Sequence, residues 1–208
     1  MSKFRILAFG AHPDDIEIGC GGTIAKCSSQ GHDVLCVVCL TPTNFEIRQQ
    51  EARNACKVLN SDITFLNADP DDFQLNRSLI KDFDEIITDY KPDKIFTHWN
   101  HDSHQDHRIV SEATISSTRK NNCSLYMYEQ TIPGSIVPYG FKPQLYIDIT
   151  DTIELKIKSL LCHKSEADRH NMDSLWEYGI KGRASYRGYQ INSKYAEAFE
   201  VVKELDII

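Results

Sequence analysis

The segment AHPDD, Ala11 to Asp15, sets a histidine and a carboxylate three residues apart on a turn that Pro13 stiffens. Far along the chain lies a second group of the same residue types: His98, His101, His104 and His107, interleaved with Asp102 and Asp106. Four of the chain's eight histidines thus fall within ten positions. Imidazole and carboxylate are the donors of catalytic zinc, which takes three protein ligands and keeps one position open for water. His12, Asp15 and one histidine of the second group would supply that set, and spacing leaves all four histidines open. A metal so held lowers the pKa of its water to about 7 and polarises a carbonyl. Asp14 is the natural base for that water, because adjacent residues on a turn point to different places. Fe2+ would accept the same donors.

A single histidine usually packs or faces solvent, so this chemistry requires a fold that brings the two groups together. Apolar runs rich in β-branched residues alternate with amphipathic segments, the pattern of parallel strands joined by crossover helices. Strands are expected over 4–10, 33–40, 63–66, 94–97, 124–128 and 144–149, and helices over 21–29, 45–59, 78–90, 107–117 and 152–162. Gly31 and Pro92 mark two helix ends. The expected fold is α/β, a Rossmann-like, doubly wound and mostly parallel sheet with helices on both faces, formed by one domain over 1–208. In strand order 3-2-1-4-5 the first and fourth strands are neighbours, and ligands bind in the crevice at their carboxyl ends. AHPDD and the histidine-rich loop would both open there. The section 151–208 carries one clear helix, a polar stretch around Trp176 and the apolar run from Phe199 to Val202; it is expected to wrap the sheet.

The formal net charge of −7 argues against nucleic acid as a partner, since phosphate binding relies on clustered Lys and Arg. A small-molecule substrate fits better. No apolar stretch approaches the roughly 18 residues of a membrane span, and the short apolar run at the N-terminus reads as a strand. Seven scattered cysteines do not form a disulfide framework, which points to a reducing, cytoplasmic setting. Cys36 and Cys39 form a CxxC inside a strand, where positions i and i+3 face opposite sides; buried thiols are expected.

AHPDD followed by IEIGCGGT, together with HQDHRIV at His104 to Val110, resembles the two signature motifs of the PIG-L (LmbE-like) deacetylases, with further matches at RQQEA, HKS and YAEAFEV. The resemblance spans nearly the whole chain. It implies zinc-dependent removal of an N-acetyl group from an N-acetylglucosamine-type amino sugar or conjugate, with His12, Asp15 and His107 as metal ligands and Asp14 as general base. His104 then resembles the residue that stabilises the oxyanion or protonates the leaving amine, and Arg48 one that contacts substrate. Relatives of this kind commonly form homo-oligomers. Asp106 would stand behind His107 or His104, because a ligating imidazole needs a partner for its other nitrogen. Arg48 also has a plain helix-surface reading, paired with Glu51 at i+3. The family usually reads AHPDDE, whereas here Ile16 intervenes before Glu17, which is read as structural; His98 and His101 are read as loop or rim residues. The glycines of IEIGCGGT also resemble a methyltransferase loop, but they do not follow directly on the first strand and are expected to open a helix against the sheet. An iron oxygenase would need a cosubstrate that no feature calls for. A non-catalytic metal- or sugar-binding protein would not need Asp14 and His104.

Overall fold

The computed structural model describes residues 3–130, 136–170 and 173–205. Seven strands form one sheet in the order β3-β2-β1-β4-β5-β7-β6. Strands β1 (Arg5–Gly10), β2 (Asp33–Val38), β3 (Asp62–Phe65), β4 (Lys94–His98) and β5 (Ser124–Tyr128) pair in parallel, as the 3-2-1-4-5 order requires. The central strands are buried on both faces, and their alternation assigns each residue to a layer. Ile6 and Ala8 pack with Ile16, Ile24 and Cys36 on one face, and Leu7 and Phe9 with Phe83, Ile95 and Val110 on the other. The first layer is covered by α1 (Asp15–Ser29) and α2 (Phe45–Leu59), the second by α3 (Arg77–Tyr90) and α4 (Gln105–Ser117). Cys36 and Cys39 fall in opposite layers, buried and unpaired, as expected for i and i+3 in an extended segment.

Two helix starts differ from expectation. Helix α1 begins at Asp15 rather than Gly21, and bends at Cys20, whose φ and ψ are −141° and 20°. Its second half is capped by a distant carboxylate: buried Glu197 accepts hydrogen bonds from the amides of Gly22 (3.0 Å) and Thr23 (2.7 Å). The glycines here serve close packing. A Cβ on Gly19 would run into the Tyr128 ring, and one on Gly22 would lie 2.7 Å from Ile149 Cδ1. Helix α4 begins at Gln105 rather than His107, because His104 caps it, its Nδ1 accepting the Asp106 amide at 3.2 Å.

The C-terminal section departs most from expectation. Helices α5 (Ile153–Leu160), α6 (Lys164–His170) and α7 (Asp173–Gln190) do cover the α1 side, through a cluster of Ile18, Ile157, Leu160, Trp176 and Ile180. The apolar run after them does not wrap the sheet. It is part of strand β7 (Ala196–Lys203), which inserts antiparallel between β5 and β6 (Leu145–Asp148). No helix among the described residues is long and apolar enough to cross a membrane.

Candidate active site

The crevice lies beyond the carboxyl ends of β1 and β4, where the sheet order reverses direction. Strand β1 ends at Gly10 and delivers Ala11 to Asp15; β4 ends at His98 and delivers the loop that leads to α4. Both motif groups therefore meet, although 83 positions separate Asp15 from His98.

Asp15 is the hub. Its Oδ2 accepts the His12 amide at 2.6 Å and lies 3.4 Å from His12 Nδ1, while its Oδ1 lies 3.3 Å from His107 Nε2. Ligand atoms at about 2.0–2.1 Å from a tetrahedral zinc ion lie about 3.3–3.4 Å from one another; each separation falls in that range, but Asp15 reaches His12 through Oδ2 and His107 through Oδ1. Gln130 Nε2 fixes Asp15 further with a 2.7 Å hydrogen bond to Oδ1. Burial opposes the charge on Asp15, but His107 and His98 outweigh it and hold the carboxyl well below its ordinary range.

The imidazoles are held from behind. His12 Nε2 contacts Asp106 Oδ2 at 2.9 Å, and His107 Nδ1 lies 3.2 Å from Asp102 Oδ2. The principal partner of Asp106 is thus His12, not His107; its carboxylate is a looser 3.8 Å from His104 Nδ1. Asp102 takes the place behind His107. Burial by itself would lower both imidazole pKa values, yet the carboxylates raise them, His12 to about 9 through Asp106 and Asp15, and His107 to about 10 through Asp15 and Asp102. In the metal-free protein these rings therefore hold protons that a divalent cation must displace.

His98 is buried at the end of β4, not on a rim. Its Nε2 accepts the Ala11 amide at 2.9 Å and sits 3.3 Å from Asp15 Oδ2. Burial, with His107 beside it, pushes its pKa down to about 4, so the ring is neutral and its Nε2 lone pair is engaged by Ala11. Asp15, His98 and His107 lie close enough to surround an ion, as do His12, His104 and His107. The engaged lone pair disfavours His98 as a donor and makes it a prop for the AHPDD turn. His101 is exposed and tilted against the Tyr139 ring at 4.6 Å between centroids, a rim position as expected.

His104 stacks on His107 with centroids 4.7 Å apart. Burial and the neighbouring His107 and His12 lower its pKa, so near neutral pH it is uncharged. With Nδ1 accepting the Asp106 amide, the ring proton resides on Nε2.

Asp14 caps α1 with φ 105°, a left-handed conformation that costs energy for a residue with a side chain. Burial and the charge of Asp15 push its carboxyl up to about 7. Arg48 lies opposite: its Nη2 donates to the Pro13 carbonyl at 3.1 Å and stands 3.6 Å from Asp14 Oδ2, while Nη1 is 3.6 Å from Glu166 Oε2. Arg48 is buried, and the surface pairing with Glu51 does not form, because Glu51 instead binds the Ser165 amide and hydroxyl at 2.8 and 2.6 Å. Glu17 is buried beneath this side, 3.6 Å from the buried His163 ring.

The family described as GlcNAc-PI de-N-acetylase, PIG-L, matches residues 7–118, which hold every one of these side chains except Gln130, Tyr139, His163, Ser165 and Glu166. The chain belongs to the PIG-L family. The uncharacterized deacetylase YaiS of Escherichia coli K12 is 33% identical, the match covering 77% of this chain and 90% of that protein. The structure of the N,N'-diacetylchitobiose deacetylase of Pyrococcus horikoshii superposes with a TM-score of 0.82 at 26% identity, over 95% of this chain and 83% of that one. GalB of Pseudomonas putida KT2440, a 4-carboxy-2-hydroxymuconate hydratase, shares the fold at a TM-score of 0.83 and 18% identity, over 100% and 99% of the two chains. The fold is thus common to two kinds of reaction, and the local residues choose between them. Family membership and the deacetylase relatives make this PIG-L chain a deacetylase.

Proposed function

We propose that this enzyme hydrolyses the N-acetyl group of an N-acetylglucosamine-type sugar or conjugate, with zinc held by His12, Asp15 and His107. The observation that carries the reading is that His12 Nδ1 and His107 Nε2 each lie 3.3–3.4 Å from an oxygen of Asp15, beside a carboxyl raised to about 7 that is none of the three proposed ligands. The family description and the substrate named for the Pyrococcus horikoshii relative support the sugar class. Bound zinc would lower the pKa of water to about 7 and polarise the amide carbonyl; Fe2+ fits the same donors.

The side chains divide the remaining work. Asp14 accepts a proton from the attacking water, a task for which a base near the working pH is suited. Arg48 steadies the Pro13–Asp14 turn and offers a cation to the substrate. His104 presents its Nε2 proton as a hydrogen bond to the oxygen that gains charge, and the proton that Asp14 took from water passes to the leaving amine. Asp106 and Asp102 orient the two ligand imidazoles from behind. The seven free cysteines agree with a reducing, cytoplasmic setting.

The test is the metal content of the purified protein, with acetate release from a panel of N-acetylglucosamine conjugates before chelation, after it, and after zinc is restored. One ion per chain and acetate release that follows the ion are expected. No metal under replete conditions would refute the ligand assignment, and metal without acetate release would refute the substrate class.

A further inference from the structure

Asp15 is gripped by one hydrogen-bond donor on each carboxylate oxygen. The His12 amide, from the same turn, serves Oδ2 at 2.6 Å, and Gln130 Nε2, from beyond the end of β5, serves Oδ1 at 2.7 Å. A carboxylate held at one oxygen can still swing about its Cβ–Cγ bond, whereas donors on both oxygens fix its plane. Gln130 is buried, and only the nitrogen end of its amide can donate to an ionised carboxylate. Its side chain therefore has one usable orientation.

Gln130 is the last of three consecutive residues whose side chains are each tied to a different element. Tyr128 Oη donates to the Phe9 carbonyl of β1 at 2.8 Å. Glu129 accepts two hydrogen bonds from Arg187 of α7, from Nε at 2.7 Å and from Nη2 at 2.6 Å. Gln130 then reaches Asp15 at the start of α1. The Arg187 and Glu129 side chains are only 10% and 15% exposed, and a two-point guanidinium–carboxylate fork adds fixed geometry to its strength. A braced path thus runs from α7 through the end of β5 to Asp15, although Arg187 has no hydrogen bond or ion pair with any proposed ligand among the described residues.

We propose that Gln130 and Arg187 are positioning residues of the metal site: the Arg187–Glu129 fork fixes the chain at Gln130, Gln130 fixes the plane of Asp15, and zinc affinity is set in part from α7. This inference rests on Asp15 being a ligand, as in the proposed function. Competition for zinc between the full chain and a chelator tests it without any substrate. Gln130→Met, which keeps the length and removes the donor, should lower zinc affinity about 10-fold to 100-fold, the usual cost of losing the partner of a metal ligand. Arg187→Met should lower it by a smaller factor, roughly 10-fold, and Arg187→Lys, which keeps the charge without the fork, should recover part of that loss. In the Gln130→Met background, Arg187→Met should cost nothing further, because both changes act through one contact. A general packing defect would add to the loss instead. Gln130→Asn, too short to reach Asp15, replaces Gln130→Met should that variant not fold. Wild-type zinc affinity in either single variant, a fully additive double variant, or a raised KM with unchanged zinc affinity, which would make Gln130 a substrate contact, would each overturn the proposal. Asp15→Ala separates the two failures. If it binds zinc like the wild type, the ligand assignment falls and this inference with it; if it loses zinc while Gln130→Met retains full affinity, the inference about Gln130 falls alone.

Discussion

Asp14 and Asp15 are adjacent in the chain but belong to two differently built halves of the site. On the β1–β4 side, Asp15 is surrounded by donors: the His12 amide, Gln130 and the ring of His107, which keep it ionised. On the α1–α2 side, Asp14 is buried against one guanidinium at 3.6 Å, with the Asp15 charge beside it, and its carboxyl rises to about 7. In the proposed reaction, one half would hold a cation and the other would exchange a proton. Environments that push two carboxyl pKa values apart are how acid and base roles are divided between like residues. The left-handed backbone of Asp14 is what turns the two side chains to different sides.

The sharpest break of this division is Asp15→Ala, which should abolish both stoichiometric metal and acetate release; metal analysis of a folded variant reads it directly. Asp14→Asn should separate the halves, keeping one ion per chain while turnover falls about 100-fold to 10000-fold. Loss of metal in that variant would place Asp14 in the cation half. Asp102→Asn should lower metal affinity about 10-fold to 100-fold by releasing His107, measured by competition with a chelator. Smaller still, Arg48→Gln should cost roughly 10-fold in kcat/KM, near the lower worth of one hydrogen bond to a charged group.

The cation half also has a pH signature. His12 and His107 have folded pKa values of about 9 and 10, above the ordinary 6.5. Raised pKa values mean that their contribution to the stability of the metal-free protein is complete below about pH 6.5 and lost as pH climbs through 9 to 10. Zinc needs those rings deprotonated, so its affinity should increase over the same interval. Thermal melts from pH 6 to 10 should therefore show the gap between zinc-loaded and metal-free protein widening with pH. A constant gap would mean that the imidazoles are already neutral.

Much of this site was legible in the sequence because it depends on short-range patterns and one topological rule. Runs such as RILAFG and DVLCVV are apolar because their strands are buried on both faces, and the 3-2-1-4-5 order then brought AHPDD beside the histidine loop. What the sequence hid was always long-range. Strand β7 carries Glu197, a poor omen for an interior strand, and is tolerated because the α1 amides and Lys156 satisfy that carboxylate. Gln130 gives no signal at all, 115 positions from the Asp15 it holds. His98 could have been found, since the last residue of a central parallel strand opens on the crevice. The Glu51 beside Arg48 looked like its ion partner until Ser165, from 114 positions away, took it.

By itself the sequence determined the layers, the order of the five parallel strands and the residue types that can bind a metal and move a proton, because periodicity and spacing encode burial and local reach. Only the tertiary structure decided which ring nitrogen faces Asp15, which carboxylate stands behind which imidazole, and why two neighbouring aspartates differ. Those outcomes depend on side-chain directions and on desolvation, both set by residues that are distant in the chain and adjacent in space.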